Sequence, residues 1–143
     1  MSHYLLDTNV ISEFAKPLPN PNIVAWLRSL PPHSLYASVI TLGELWLGVE
    51  NLPSGKRRLE LEHWMTAGLP AWFADNLLPV THPIARRWAA IAADARKAGL
   101  TLTTADGLIA ATAIEHDLTL VTRNEKDFRG LSLTILNPWQ AGT

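Results

Sequence analysis

Three acidic side chains stand where one predicted element of the chain gives way to the next. Asp7 follows the apolar run Tyr4–Leu6, Glu44 follows the apolar run 35–40, and Asp106 opens a helical stretch over 107–115. Because ligand sites in open α/β sheets form beyond the carboxyl ends of the strands, we expect these carboxylates to meet there. Carboxylate oxygens are preferred by hard cations such as Mg²⁺, so the pattern indicates metal-assisted hydrolysis of a phosphodiester.

Each of these acids also has a purely structural interpretation. Asp7 is a suitable cap for a helix that begins near position 9. Glu44 lies three residues after Thr41, and Asp106 three residues after Thr103, which is the spacing of a capping box. Taken one at a time, the three acids therefore leave both interpretations open.

Position on the helices separates Asp106 from Glu44. A partly desolvated carboxylate needs a partner, and a cation is the natural one. Asp106 shares a helical face with apolar residues that should pack on the sheet, whereas Leu42, Leu45, Trp46 and Val49 point away from Glu44. The metal-binding interpretation of Glu44 therefore depends on its closeness to a strand end. The residues on the Asp106 face are Ile109, Ala110, Ala113 and Ile114.

Composition excludes several other chemistries. The 143 residues include no cysteine, which excludes thiolate nucleophiles, disulfides and cysteine-bound zinc. The five histidines are scattered without the spacing of a zinc protease, and no phosphate-binding glycine loop or serine elbow occurs. Metal catalysis through carboxylates remains.

Apolar runs alternate with helical periodicity along the chain. This order predicts an α/β fold in three layers, with a central, mostly parallel sheet flanked by helices, and one domain over 1–143. With 48% hydrophobic residues, the chain is long enough to build a proper core. The predicted strands are Tyr4–Leu6, Leu35–Ser38, 118–122 and a final edge strand at 131–135; the helical patterns cover 23–30, 42–49, 61–68, 84–95 and 107–115.

Charge and hydropathy restrict the class of partner and the cellular compartment that we expect. The net charge is −1, which argues against a simple basic coat protein for nucleic acid. Basic clusters at 56–58, 86–87 and 96–97 are expected to be solvated helix faces, whereas the group at 123–129 follows a strand and should lie near the site. No apolar run is long enough for a membrane span and the first residues are unlike a signal peptide, so we expect a cytoplasmic protein.

Five segments, in order and in register, resemble the motifs of PIN-domain ribonucleases, and more narrowly the VapC/FitB-like toxins of type II toxin–antitoxin pairs. This resemblance implies a PIN-like fold and a Mg²⁺- or Mn²⁺-dependent endoribonuclease that uses one or two ions. It also implies a homodimer or a higher hetero-oligomer with a small antitoxin, which fills the site, keeps the toxin inactive and binds operator DNA. The segments are 5–13, 38–49, 104–113, 120–124 and 137–139.

The resemblance also assigns roles to residues. Asp7, Glu44 and Asp106 take the places of the metal-binding acids of the family. Thr8 or Asn9 is expected to orient Asp7 or a metal-bound water. An in-line attack of water on phosphorus would leave a 5′-phosphate and a 3′-hydroxyl.

The fourth motif departs from the family pattern. Two residues after Thr122, where a fourth acid is frequent, this chain has Asn124. Asn124 can still accept a hydrogen bond from a metal-bound water, and Asp127 is the candidate for the missing charge. The departure puts a second ion in doubt. Arg123 is expected to hold either a substrate phosphate or a carboxylate of the antitoxin.

Two alternatives to the toxin remain open at this point. One is a PIN-like nuclease of RNA processing or of structured DNA that has no antitoxin. The other is a non-catalytic PIN scaffold that binds RNA or protein, for which Asn124 is the best argument and the three acids the main objection. The RNA target is not readable from the residues.

Overall fold

The computed structural model describes residues 2–140, and its centre is a five-stranded, all-parallel sheet. The strands lie in the order β3-β2-β1-β4-β5, so that the first strand of the chain is central. This confirms the predicted α/β class, with the sheet fully rather than mostly parallel. The strands are β1 (Tyr4–Leu6), β2 (Leu35–Ser38), β3 (Leu77–Leu78), β4 (Thr119–Val121) and β5 (Ile135–Leu136).

Helices cover both faces of the sheet and give two hydrophobic cores. One core joins β1 and β2 to the first five helices through buried residues such as Ile11, Ile23 and Leu69. The other lies on the opposite side, where Ile109 and Ala113 pack with Leu5 and Leu120. The helices are α1 (Thr8–Ala15), α2 (Pro21–Arg28), α3 (Val39–Glu50), α4 (Lys56–His63), α5 (Leu69–Phe73), α6 (His82–Lys97) and α7 (Thr104–Glu115).

The strand register brings distant parts of the sequence to one edge of the sheet. Tyr4 pairs with Leu35 on one side and with Thr119 on the other. The N–H of Asp7 donates to the carbonyl of Val121 at 2.9 Å, so the chain leaves β1 beside the end of β4. Parallel strands end at a common edge, which is where the predicted site residues are gathered.

Two strand predictions need correction. The final strand is Ile135–Leu136 rather than 131–135, because β5 pairs only with Leu120 and Val121. Leu131 and Leu133 pack against the second core from an irregular segment, which explains their alternation. The two-residue strand Leu77–Leu78 was not predicted, since it is too short to carry a period.

The long middle helix predicted over 61–68 is interrupted. Helix α4 ends at His63 and continues as a single π-helical turn, Trp64–Gly68, before α5 begins. The N–H of Leu69 donates to the carbonyl of Trp64, five residues earlier, and Pro70 has no N–H to donate.

Among residues 2–140, no helix has the length and apolarity to cross a membrane.

Candidate active site

Asp7 lies at the carboxyl end of β1 and is buried, with 5% of its surface exposed. It caps α1, as one interpretation predicted: Oδ1 accepts from the N–H of Thr8 at 2.8 Å. Oδ2 accepts from the hydroxyl of Thr122 at 2.8 Å and from the amide of Asn9 at 3.2 Å. Both carboxylate oxygens are thus held in fixed directions, and the cap does not exclude a role in metal binding.

Burial raises the pKa of Asp7, and the nearby charge of Glu44 raises it further. The hydrogen bonds from Thr122, Thr8 and Asn9 act in the opposite direction, because they favour the ionised form. The site therefore holds a carboxylate that is costly to ionise without a cation.

The capping box predicted for Thr41 and Glu44 is wrong. Helix α3 begins at Val39 with Ser38 as its cap, since the Ser38 hydroxyl accepts from the N–H of Ile40 at 3.0 Å. Thr41 is therefore inside the helix, buried, and its hydroxyl has no hydrogen-bond partner among residues 2–140. Glu44 instead accepts from the hydroxyl of Thr8 at 2.5 Å through Oε1.

Asp106 occupies the first turn of α7. Its N–H donates to the hydroxyl of Thr103 at 3.1 Å, so Thr103 caps this helix as predicted. The pKa of Asp106 is raised to about 6, first by burial and then by the negative charges of Asp7, Asp127 and Glu44. Four acids from four parts of the chain therefore share one electrostatic environment.

Thr122 links the loop after β4 to Asp7. It is fully buried, and its hydroxyl accepts from the side-chain amide of Asn9 at 3.2 Å and from the N–H of Asn124 at 3.1 Å. The N–H of Arg123 donates to Oδ1 of Asn9 at 3.0 Å. Thr122 and Asn9 thus fix the direction of Asp7 and the path of the loop, and for Asn9 this is the role that was expected.

The chain after β5 closes over the same loop. The guanidinium of Arg123 lies 5.2 Å from the centre of the Trp139 ring, and Asn137 donates to the carbonyl of Arg123 at 3.4 Å and to Glu125 at 3.2 Å. Asn137 and Trp139 belong to the motif at 137–139, to which no role was assigned from the sequence. The contacts place Asn137 and Trp139 as supports of Arg123.

The arrangement of acids fits a hard divalent cation. Asp127 is exposed on the helical turn Glu125–Phe128, yet it is near enough to affect the pKa of Asp106. Within residues 2–140 the acids do not close into a cluster of three metal ligands. The negative charges of these carboxylates nevertheless repel one another, and a bound cation would reduce that repulsion. Mg²⁺ needs only one or two carboxylates, because it normally completes its shell with waters and substrate oxygens.

The similar sequences and solved structures all point to one protein family. A PIN domain model matches residues 4–132. Toxin FitB of Neisseria gonorrhoeae is 43% identical over 94% of this chain and 97% of its own length, and VapC ribonuclease Y4jK of Sinorhizobium fredii is 37% identical over 95% and 97%. The structure of FitAB bound to an IR36 DNA fragment contains a chain with a TM-score of 0.90 and 41% identity, with 98% of each chain covered. The chain belongs to the PIN-domain family, among its VapC/FitB-like toxins.

Proposed function

We propose that this chain is a metal-dependent endoribonuclease and the toxin of a toxin–antitoxin pair. The observation that carries the proposal is the convergence of Asp7, Glu44, Asp106 and Asp127 at one edge of the sheet, where Asp106 has its pKa raised to about 6. A relative named as a VapC ribonuclease and another named as a toxin support the same activity.

Asp7, Glu44 and Asp106 would hold Mg²⁺ or Mn²⁺, with Asp127 as the fourth acid. When bound, the ion supplies charge neutralisation at the phosphate and an activated water for hydrolysis. We propose that one ion is held firmly, because Asn124 brings no charge to the position after Thr122.

The remaining residues of the site position the reacting groups. Asn9 and Thr122 hold Asp7 by hydrogen bonds to Oδ2, and Thr8 holds Glu44. Arg123 is exposed at the end of β4, where its guanidinium is available to a substrate phosphate oxygen. The products would be a 5′-phosphate and a 3′-hydroxyl.

The proposed partners follow from the same relatives. A FitAB complex is bound to a DNA fragment, which supports an antitoxin that fills the site of this chain and binds operator DNA. We further propose that the chain folds as a single domain, forms a homodimer in this complex and acts in the cytoplasm.

The decisive experiment compares the wild-type chain with Asp7→Asn and Asp106→Asn, each expressed without a partner. Growth arrest with discrete new RNA 5′-phosphate ends is expected for the wild type alone. Asp94→Asn is the matched control, because Asp94 is exposed on α6 and should leave cleavage intact. Cleavage by both site variants would overturn the proposal, and RNA binding without Mn²⁺-dependent turnover would indicate a scaffold.

A further inference from the structure

Three exposed cations surround one groove beside the candidate site. In the described part of the chain, five of the other nine lysines and arginines are in ion pairs: Arg58 pairs with Glu62 and Arg87 with Glu115, for example. Arg96, Lys126 and Arg129 take part in no ion pair within residues 2–140. Their charges are therefore open to an anionic ligand.

The groove consists of two adjoining cavities of about 460 and 220 Å³. They share a wall of four residues near the end of α6 and the linker to α7, among them Leu100 and Leu102. Arg96 lines the larger cavity, whereas Lys126 and Arg129 line the smaller one. The three cations thus border two adjoining cavities whose shared wall includes Leu100 and Leu102.

An aromatic side chain lines the larger cavity and packs against the first turns of α7, which carry Asp106. Trp88 packs against Gly107, the residue after Asp106: a Cβ on Gly107 would approach Cδ1 of Trp88 to 2.8 Å. The indole and Thr104 line the same cavity. At the other end, Asp127 lines the smaller cavity, and its charge is near enough to raise the pKa of Asp106.

We propose that this groove binds single-stranded RNA next to the cleaved bond, with backbone phosphates on Arg96, Lys126 and Arg129 and one base against Trp88. The inference rests on the proposed nuclease function and names the path of its substrate. Cations along a wall with an aromatic face are the common means of binding single strands, because phosphates need positive charge and every base has a face to stack. An acidic protein segment would use the cations but would not need the indole.

The test measures binding of a 5′-fluorescein-labelled, 12-nucleotide single-stranded RNA to the full chain carrying Asp7→Asn, which prevents turnover. Replacing Arg96, Lys126 and Arg129 together by Gln should weaken binding at least about tenfold. The steepness with which log affinity falls against log salt should also decrease by about 2, because each phosphate contact contributes about 0.7 to it. Arg86→Gln is the control for the loss of an exposed arginine from α6. It is exposed on the same helix but lies on another surface, so binding should stay unchanged.

The aromatic contact is tested separately. Trp88→Leu keeps an apolar side chain against Gly107 and should weaken RNA binding about tenfold, the loss typical of one stacked base. Trp88→Phe keeps an aromatic face and should recover most of the affinity. Thermal unfolding of each variant shows whether the fold is intact, and the surface cation variants do not depend on that packing.

Failure of the groove and failure of the nuclease have different signatures. If the wild type cleaves RNA with Mn²⁺ while the groove variants bind as tightly as their parent, the inference is wrong and an acidic protein segment becomes the better occupant. If the groove variants lose affinity but the wild type never cleaves, the groove is supported and the nuclease is overturned. No measurable RNA binding by the parent overturns the groove.

Discussion

At the residue scale, Glu44 is tied to the first helix by the hydroxyl of Thr8. The hydrogen bond of 2.5 Å joins residues 36 positions apart, and the neighbouring N–H of Thr8 donates to Asp7. Ser12 adds a hydrogen bond to the carbonyl of Thr8 at 2.6 Å. One residue therefore positions two of the proposed metal ligands, through its backbone for Asp7 and its side chain for Glu44.

Thr8→Val should keep the fold and weaken the metal site. Loss of the hydroxyl leaves Glu44 without its donor, and removal of such supporting hydrogen bonds usually costs about 10- to 100-fold in metal affinity or activity. We expect an increase of about that size in the Mn²⁺ concentration needed for half-maximal cleavage. Thr8→Ser, which keeps the hydroxyl, should remain close to the wild type. Equal Mn²⁺ dependence of the two variants would contradict this role.

Local hydrogen bonds at the helix starts were predictable from the sequence only in part. Thr103 caps α7 and Asp7 caps α1, as their spacing predicted. The prediction failed at Thr41, because Ser38 is an equally good cap three residues earlier and the strand ends there. The contact between Thr8 and Glu44 depends on how β1 and β2 pair, which no local pattern specifies.

At the element scale, α6 and α7 meet closely because Gly107 has no side chain. Gly107 is buried within α7, and the indole of Trp88 occupies the space that a Cβ would need. Gly43 provides the opposite situation, since it is exposed in α3 and no atom lies within 4 Å of its hypothetical Cβ.

Gly107→Ala and Gly43→Ala should therefore have opposite effects on stability. Alanine at 107 collides with Trp88 at 2.8 Å and should lower the free energy of unfolding by about 1–3 kcal/mol. Alanine at 43 should raise it by about 0.5–1 kcal/mol, because a helix interior favours Ala over Gly. Urea unfolding measures both. Combining Gly107→Ala with Trp88→Leu should relieve most of the loss; an additive double variant would show that the indole is not the cause.

Most elements followed from periodicity, and the misses have physical reasons. Strands β1 and β2 were predicted with their observed bounds, because each is a buried apolar run with clear ends. Strand β3 has two residues and no detectable period. The π-helical turn at Trp64–Gly68 keeps helical spacing on both sides, so the sequence pattern reads as one helix.

At the scale of the whole molecule, the site exists because β1 is central. Its neighbours are β2 and β4, so the residues after these three strands meet at one edge, and α7 adds Asp106 from the adjoining layer. Alternation of strands and helices predicted a parallel sheet and hence this convergence. The strand order itself was not predicted from local patterns, because pairing is decided by packing between distant segments.

This convergence should destabilise the chain as its acids ionise. The pKa of Asp106 is about 6 in the fold against 3.8 in the unfolded reference, so the folded state holds the proton more tightly. Stability from this group is present below pH 4 and is lost as the pH rises through 6; Asp7 is shifted in the same direction. Asp106→Asn does not titrate, and its unfolding free energy should change less over this window.

Urea unfolding in EDTA at pH 4.5 and pH 7 tests the effect. At pH 7 Asp106→Asn should be more stable than the wild type by about 1 kcal/mol, a modest value because Asp106 is only half-buried and solvent screens its charge. Added Mn²⁺ should then stabilise the wild type more than Asp106→Asn, since an ion that binds only the folded state stabilises it by an amount that grows with the logarithm of its affinity. Parallel pH profiles for the two proteins, with equal responses to Mn²⁺, would show that Asp106 neither opposes its neighbours nor binds the ion.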